Sequence, residues 1–477
     1  MVMVKPPPFD WVGVLGTGQS LAVGYAGTPV VSTTQPYGNL KLLDSGSDPK
    51  YDGIGDELSL VPLTAPIRPP PTVKGVVQYP NNIFGETIHE GMANQISATA
   101  EAIGKIAYAT VHSVVGESGN GIVYLKKGGI GHAYAASIYE VSAIAALAKA
   151  AGKTYGIGAV VLTHGEDDAL DETYEAQIAQ LAADYAADLP ALTGQSEPIP
   201  MFLTQQSTYP LTSKDLPISA VAAWKLGVDN PGKIFCVGPK YQYVYMPDHK
   251  HLDALNYRRL GEKYGEVYAR VLMFGEAWRP LQPRKLEKSG ATVTIDFDVP
   301  DPPLAWEESM PAPHQSANLA WAKGRGFEVV DATGPLTITA AEIMDAAVRL
   351  TLAAPPGPGL VVRYAMTQDV DGAMGGTASG RHGQLRDTDP FVGRDAATIA
   401  CETTAGATTV SAAEGAFAER SPGDIVTGPG VPADTVVVSK SGGSALELSH
   451  PVDKGGAVML SFHHDLRNYA VHFELAE

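Results

Sequence analysis

The strongest constraint on the fold is a change of texture near residue 280. Before it, short apolar runs alternate with longer segments whose apolar residues recur at helical spacing. Trp11–Leu15 (WVGVL), Lys105–Val115 (KIAYATVHSVV), Gly156–Thr163 (GIGAVVLT), Ile199–Thr204 and Ile234–Val237 read as strands. Thr87–Ile103, Ala135–Ala151, Asp171–Ala186, Pro217–Lys225 and Leu255–Phe274 read as helices. Strands alternating with helices of this length predict a parallel sheet covered on both faces, with any ligand just beyond the carboxyl ends of the strands.

After Pro280 the helical spacing stops. TVTIDFDV at 292–299, FEVV at 327–330, AVRLTLA at 347–353 and LVVRYAM at 360–366 are strand-like and punctuated by Pro and Gly, which predicts a β-sandwich. From about Ala396 the runs become shorter and richer in Gly, Thr, Ser and Val, at Ala407–Ser411, Asp424–Thr427, Thr435–Ser439 and Ala445–Leu448. The last strand, Tyr469–Leu475, returns to the sandwich texture. The expected organisation is therefore an arm at 1–10, an α/β domain at 11–280, a sandwich at 281–395 plus 461–477, and a small β module inserted at 396–460.

Composition excludes several function classes. The 477-residue chain carries 34 Lys+Arg against 52 Asp+Glu, a net charge of −18, which argues against nucleic acid because phosphate binding needs a basic surface. Two cysteines, Cys236 and Cys401, are too few for a disulfide scaffold or a Cys-based zinc cluster. No apolar run is long enough to span a membrane, and the opening MVMVKPPPFD lacks the apolar core of a secretory signal. Localisation stays open on these grounds.

The chemistry gathers at the expected strand ends. Ser20 follows the first strand behind Gly16-Thr17-Gly18-Gln19 and precedes the helix-like LAVGYA, a placement that exposes a hydroxyl at the sheet edge and aims helix N–H groups at it. A nucleophilic serine needs a base and an orienting group. His251, three residues after Asp248 in PDHKHL, fits both needs, with His249 as the rival base. Ser118-Gly119-Asn120-Gly121 offers backbone donors, and Thr163-His164-Gly165-Glu166 places polar side chains at the same edge. Each segment alone is more often an ordinary βα turn; together they converge. Tyr241, Tyr243 and Tyr245 read either as core residues or as a sugar-stacking platform. Gly152-Lys153-Thr154 has the tail of a phosphate-binding loop, but Leu147 stands where its first glycine is required. Gly16-Thr17-Gly18 lacks the third glycine of a dinucleotide fold, and no H-E-x-x-H metal spacing occurs.

The ordered set GTGQSLAVG, SGNGIVYL, THGED and DHKHL resembles the four blocks of the SGNH (GDSL-like) hydrolase superfamily, nearest to its carbohydrate-esterase and sialate O-acetylesterase-like branch. The segment Phe84-Gly85-Glu86-Thr87 through Gly91-Met92-Ala93-Asn94-Gln95 is similar to that branch as well. The resemblance covers roughly residues 11–275. It implies a three-layer α/β/α, flavodoxin-like domain and a cofactor-free serine esterase acting on an acetylated glycan. Ser20 would be the nucleophile, His251 the base and acid, and Asp248 its partner. Ser20 and Gly119 N–H groups would form the oxyanion hole, with Gln19, Asn120 and Glu166 in support. Where the branch has H-Q-G-E this chain has Thr163-His164-Gly165-Glu166, so His164 takes the place of the third oxyanion donor. A second reading is a glycan- or receptor-binding virion or cell-surface attachment protein with a weak or inactive esterase fold, on account of module segments such as GPGVPADTVV that loosely resemble phage tail and surface modules. That reading brings self-association or attachment to a larger assembly with it.

Overall fold

Strand β1 (Trp11–Gly18) runs through the middle of a seven-stranded sheet in the computed structural model, which describes residues 4–43, 59–67, 85–372, 374–378, 380–394, 396–433 and 435–477. Phe84, one of the residues of the family resemblance, lies outside them. The chain continues through β2 (Leu40–Leu42), β3 (Leu60–Pro62), α1 (Ile88–Thr99), β4 (Thr110–Gly116), α2 (Ala133–Ala150), β5 (Tyr155–Thr163), α3 (Tyr174–Thr193), β6 (Met201–Thr204), α4 (Ile218–Asp229), β7 (Ile234–Gly238) and α5 (Ala254–Tyr268). The sheet order is β3-β2-β4-β1-β5-β6-β7, parallel except for the β2–β3 pair. β1 and β4 are buried along nearly their whole length, and in β4 that burial includes the polar Thr110, His112 and Ser113. β4 lies on one side of β1 and β5 on the other, so the strand order reverses at β1. The crevice of such a sheet opens beyond the carboxyl end of that strand, where Ser20 stands.

Local chemistry sets the helix limits. Thr87 caps α1 in a capping box with Glu90, and the helix runs out through a π-turn at Ala100–Gly104 that Lys105 ends in a left-handed conformation. The expected strand at 105–115 therefore starts only at Thr110. α1 meets α5 through glycines: a Cβ on Gly91 would lie 2.1 Å from the Arg258 carbonyl oxygen, and one on Gly261 would lie 2.1 Å from that of Ile88. Larger residues would force the two helices apart.

The segment after Ser20 departs from expectation. Leu21–Ala26 forms successive turns and not a helix. Gly24 (φ +81°) and Ala26 (φ +63°) take left-handed conformations that a helix excludes.

Beyond residue 280, two four-stranded antiparallel sheets face each other. One comprises Gln282–Ser289, Thr292–Asp298, Ile338–Met344 and Ala347–Leu352; the other comprises Phe327–Asp331, Gly334–Pro335, Val361–Tyr364 and Phe473–Ala476. Phe297 meets Phe327 and Phe473 between them, and Trp224 of α4 packs on Phe473 while its indole N–H donates to Gln282. The core thus runs without a break from the α/β layers into the sandwich. The last strand is shorter than expected because residues 470–472 bond elsewhere: Ala470 O accepts from the Tyr241 hydroxyl, Val471 N–H donates to Leu281 O, and His472 N–H donates to Gln205.

Residues 4–388 and 468–477 belong to one compact unit, and Asp389–Arg467 forms a second. The second is a six-stranded antiparallel sheet with its own core, which includes Val410, Phe417, Val426, Leu446, Leu460 and Phe462. In the first unit, Asp387 accepts from both the N–H and the side-chain amide of Asn468, so the chain leaves and re-enters at one point.

Candidate active site

Three side chains from two distant parts of the sequence form one relay. The Ser20 hydroxyl lies 2.9 Å from His251 Nε2, and His251 Nδ1 lies 2.6 Å from an Asp248 carboxylate oxygen. Carboxylate accepts only, so Nδ1 carries the proton and Nε2 is left bare toward the serine. The loop carrying the pair closes on itself: Met246 N–H donates to His251 O, and Tyr245 bridges Leu252. The other Asp248 oxygen accepts from the N–H groups of Lys250 and His251. Burial opposes ionisation of Asp248, but the bonds from the His251 ring and these two N–H groups outweigh it and hold the carboxyl below its usual range. Tyr25 packs its ring against the imidazole, centroids 4.3 Å apart.

Ser20 is presented by a turn that depends on Gly18. Its φ is +143°, and a Cβ there would lie 2.1 Å from the Thr163 carbonyl oxygen. The following N–H, of Gln19, donates to that same oxygen and ties the β1 turn to β5. Among the described residues the N–H groups of Ser20 and Gly119 meet no protein acceptor. Gly119 sits at φ +68° after β4 in a loop anchored from the β5 side, where Asp168 accepts from Ile122 N–H at 2.7 Å.

His164 does not line the cavity, in contrast to its expected place in the oxyanion hole. Its Nε2 lies 3.1 Å from the Asn120 carbonyl oxygen and its Nδ1 3.1 Å from the Tyr174 hydroxyl. A carbonyl accepts only, so the Nε2 proton is committed to Asn120, and His164 ties the Gly119 loop to α3. Asn120 turns its own amide to Ser118 O. Gln19 is buried and directs its side-chain oxygen to Asp167 N–H. Glu166 is buried in an ion pair with Lys240 at 2.7 Å. His249, the rival base, has a left-handed backbone and offers its carbonyl to Gly375 N–H. Tyr241 and Tyr243 are core residues, which rules them out as a stacking platform.

A cavity of about 270 Å³ opens over the serine, lined by Gln19, Ser20, Tyr25, Gly119, Tyr209, Lys250 and His251 among others. Tyr25, Tyr209 and Lys250 escaped sequence reasoning. For Tyr209 a signal was available: Gln205-Gln206-Ser207-Thr208-Tyr209 follows the carboxyl end of β6, as the other site segments follow theirs. Among the described residues no group of three His, Cys, Asp or Glu side chains is placed to hold a metal ion, and no helix is long and apolar enough to cross a membrane.

No family model matches the chain, and no curated protein does. Solved structures do. The chain is similar to a carbohydrate acetylesterase from Xanthomonas citri at 15% identity and a TM-score of 0.46, over 80% of this chain and 81% of that one. It is similar to NanS at 14% identity and a TM-score of 0.37, over 56% of this chain and 98% of that one. A third is Est24, a carbohydrate acetylesterase from Sinorhizobium meliloti, at 12% identity and a TM-score of 0.30, over 55% of this chain and all (100%) of that one.

Proposed function

We propose that the chain is a serine esterase that removes O-acetyl or other short acyl groups from a carbohydrate. The observation that carries this reading is the unbroken Asp248–His251–Ser20 relay under an open cavity. In the proposed reaction Ser20 Oγ attacks the ester carbonyl as His251 Nε2 takes its proton, and Asp248 steadies the imidazolium. The oxyanion receives hydrogen bonds from Ser20 and Gly119 N–H. His251 then protonates the leaving sugar oxygen and activates the water that frees the carboxylate. The chain's residues suffice for these steps without a cofactor. The Gly119 donor is held in place indirectly by His164 and Asp168.

The substrate fits a neutral or lightly charged glycan. The protein as a whole is strongly acidic, and Lys250 at the cavity is accompanied by Asp167 and Asp248. The reading rests on the site; it coincides with the activity named for two of the solved structures above. A binding protein on an inactive hydrolase scaffold is less well supported, because the relay is complete. The test is acetate release from a panel of O-acetylated glycans and from p-nitrophenyl acetate, with Ser20→Ala and His251→Ala as controls. Turnover abolished in both variants supports the proposal. No turnover by the parent chain, or unchanged turnover in Ser20→Ala, overturns it.

A further inference from the structure

Tyr209 lines the cavity together with Tyr25, and the backbone that carries it is held from the sandwich side. We propose that Tyr209 is the specificity-determining wall for a sugar ring and that Arg381 is the positioning residue that fixes it; this rests on the esterase reading above. Tyr209 is half-buried, lines the cavity, and has the Lys250 ammonium 5.6 Å from its ring centroid. A phenol ring so placed gives a flat apolar face with a polar tip, the shape that stacks on a pyranose.

The segment 208–215 directs four carbonyls at one side chain, two from the buried Thr208 and Pro210 and two from the exposed Thr212 and Asp215, and the buried ones need protein donors. Arg381 supplies them. Its Nη1 donates to Thr208 O at 3.3 Å, and its Nη2 to Pro210 O at 2.9 Å, Thr212 O at 3.0 Å and Asp215 O at 3.3 Å. The same guanidinium is anchored in the sandwich segment by Met366 O at 3.0 Å and Gln368 Oε1 at 2.8 Å. Arg381 is fully buried, so its guanidinium depends on these protein acceptors. From the α/β side, Gln206 accepts from Thr208 and Tyr209 N–H and donates to Tyr209 O. Two further struts come from the sandwich segment: Asp371 accepts from Ser213 N–H, and Gly372 N–H donates to Leu211 O. Gly375 N–H donates to His249 O, so this segment also backs the loop of Asp248 and His251. The sandwich thereby braces two loops of the site from behind, although the residues that line the cavity all precede it.

A planar fork of five N–H donors reaches this ring of six acceptors with one Nη2 hydrogen shared between two carbonyls; a lysine ammonium has three donors at one point and cannot. Arg381→Lys therefore releases the Tyr209 segment while keeping the charge. The test measures kcat and KM of the full chain on an acetylated xylo-oligosaccharide and on ethyl acetate, which has no ring to stack. Tyr209→Ala and Arg381→Lys should each raise KM for the oligosaccharide about tenfold, with kcat changed less than KM and a several-fold smaller loss on ethyl acetate. If Arg381 acts through Tyr209, the double variant is no worse than either single one. Unchanged KM, equal losses on both esters, or effects that multiply to about a hundredfold would each overturn the proposal. Should Arg381→Lys not fold, Asp371→Ala must still raise oligosaccharide KM and spare ethyl acetate; an unchanged KM there overturns it as well. A parent chain that cleaves ethyl acetate but no acetylated glycan also overturns it, whereas failure on both esters would defeat the esterase reading itself.

Discussion

Two histidine sites neighbour the first strand, one at its carboxyl end and one along its length. At its carboxyl end His251 is held between a carboxylate and a hydroxyl, close to solvent. Between α1 and β4, His89 and His112 face each other with Nδ1 atoms 2.9 Å apart, both sealed in the core. Thr110 donates its hydroxyl proton to Asn39 Oδ1, so it accepts from His112 Nε2. His112 Nδ1 is then bare, and His89 Nδ1 donates to it. Burial pushes His89 down to about 3; burial first, and then the neighbouring His89, push His112 well below its usual value. The residue type is the same. A carboxylate and an opening to solvent make His251 a base, whereas their absence makes the inner pair a neutral packing element that tolerates no proton.

Breaking the outer pair should have the largest effect. Ser20→Ala and His251→Ala should each lower kcat/KM on p-nitrophenyl acetate by about 10⁴-fold or more while melting temperature stays near that of the parent. Asp248→Asn, which unfixes the His251 tautomer, should cost about 10³-fold in the same assay. Next in size is a stability effect. Lys240→Met leaves the buried Glu166 carboxylate without its partner and should cost about 3–5 kcal/mol in urea unfolding.

The inner pair is tested by acid. His89 has a folded pKa far below its free value, so the unfolded chain takes up the proton first. The stability it confers is present above about pH 6.5 and falls by about 1.4 kcal/mol per pH unit toward pH 3. Glu90 acts oppositely. Burial, then the nearby Glu86, raises it to about 8, so its contribution is present below about pH 4.5 and is lost as pH rises through 8. The comparison between the parent and His89→Gln at each pH cancels the Glu90 part: the variant should lose stability on acidification less steeply, by about that slope. Equal slopes would show that the inner pair already carries a proton. The smallest effect belongs to His249→Ala, with activity within about twofold of the parent, since the described contacts of His249 are made by its backbone.

Legibility in the sequence followed burial and local chemistry. β1, β4 and β5 are readable because both faces are buried and their sequences are rich in Val, Leu and Ile or end on Gly, with Thr110, His112 and Ser113 the polar exceptions inside β4. Gln282–Ser289 was not, because it is an edge strand whose outward positions are Arg, Lys and Glu, and nothing in QPRKLEKS alternates cleanly. Ser20, Asp248, His251 and Gly119 stood out as polar groups at strand ends, and the structure brings them to one edge. His164 was misjudged because its spacing fixes which loop it occupies but not which way its ring turns; Asn120 and Tyr174, 44 and 10 residues away, decide that. Arg381 was invisible for the same reason. Its six acceptors lie on two segments, one of them more than 160 residues earlier.

The central claim, that Ser20 is a nucleophile activated by His251, is tested most directly by labelling the full chain with a fluorophosphonate and locating the adduct by peptide mass. The account predicts one adduct, on the peptide carrying Ser20, absent from His251→Ala and retained in His89→Gln. An adduct on another residue, or a catalytically active chain with Ser20 unlabelled, would contradict it.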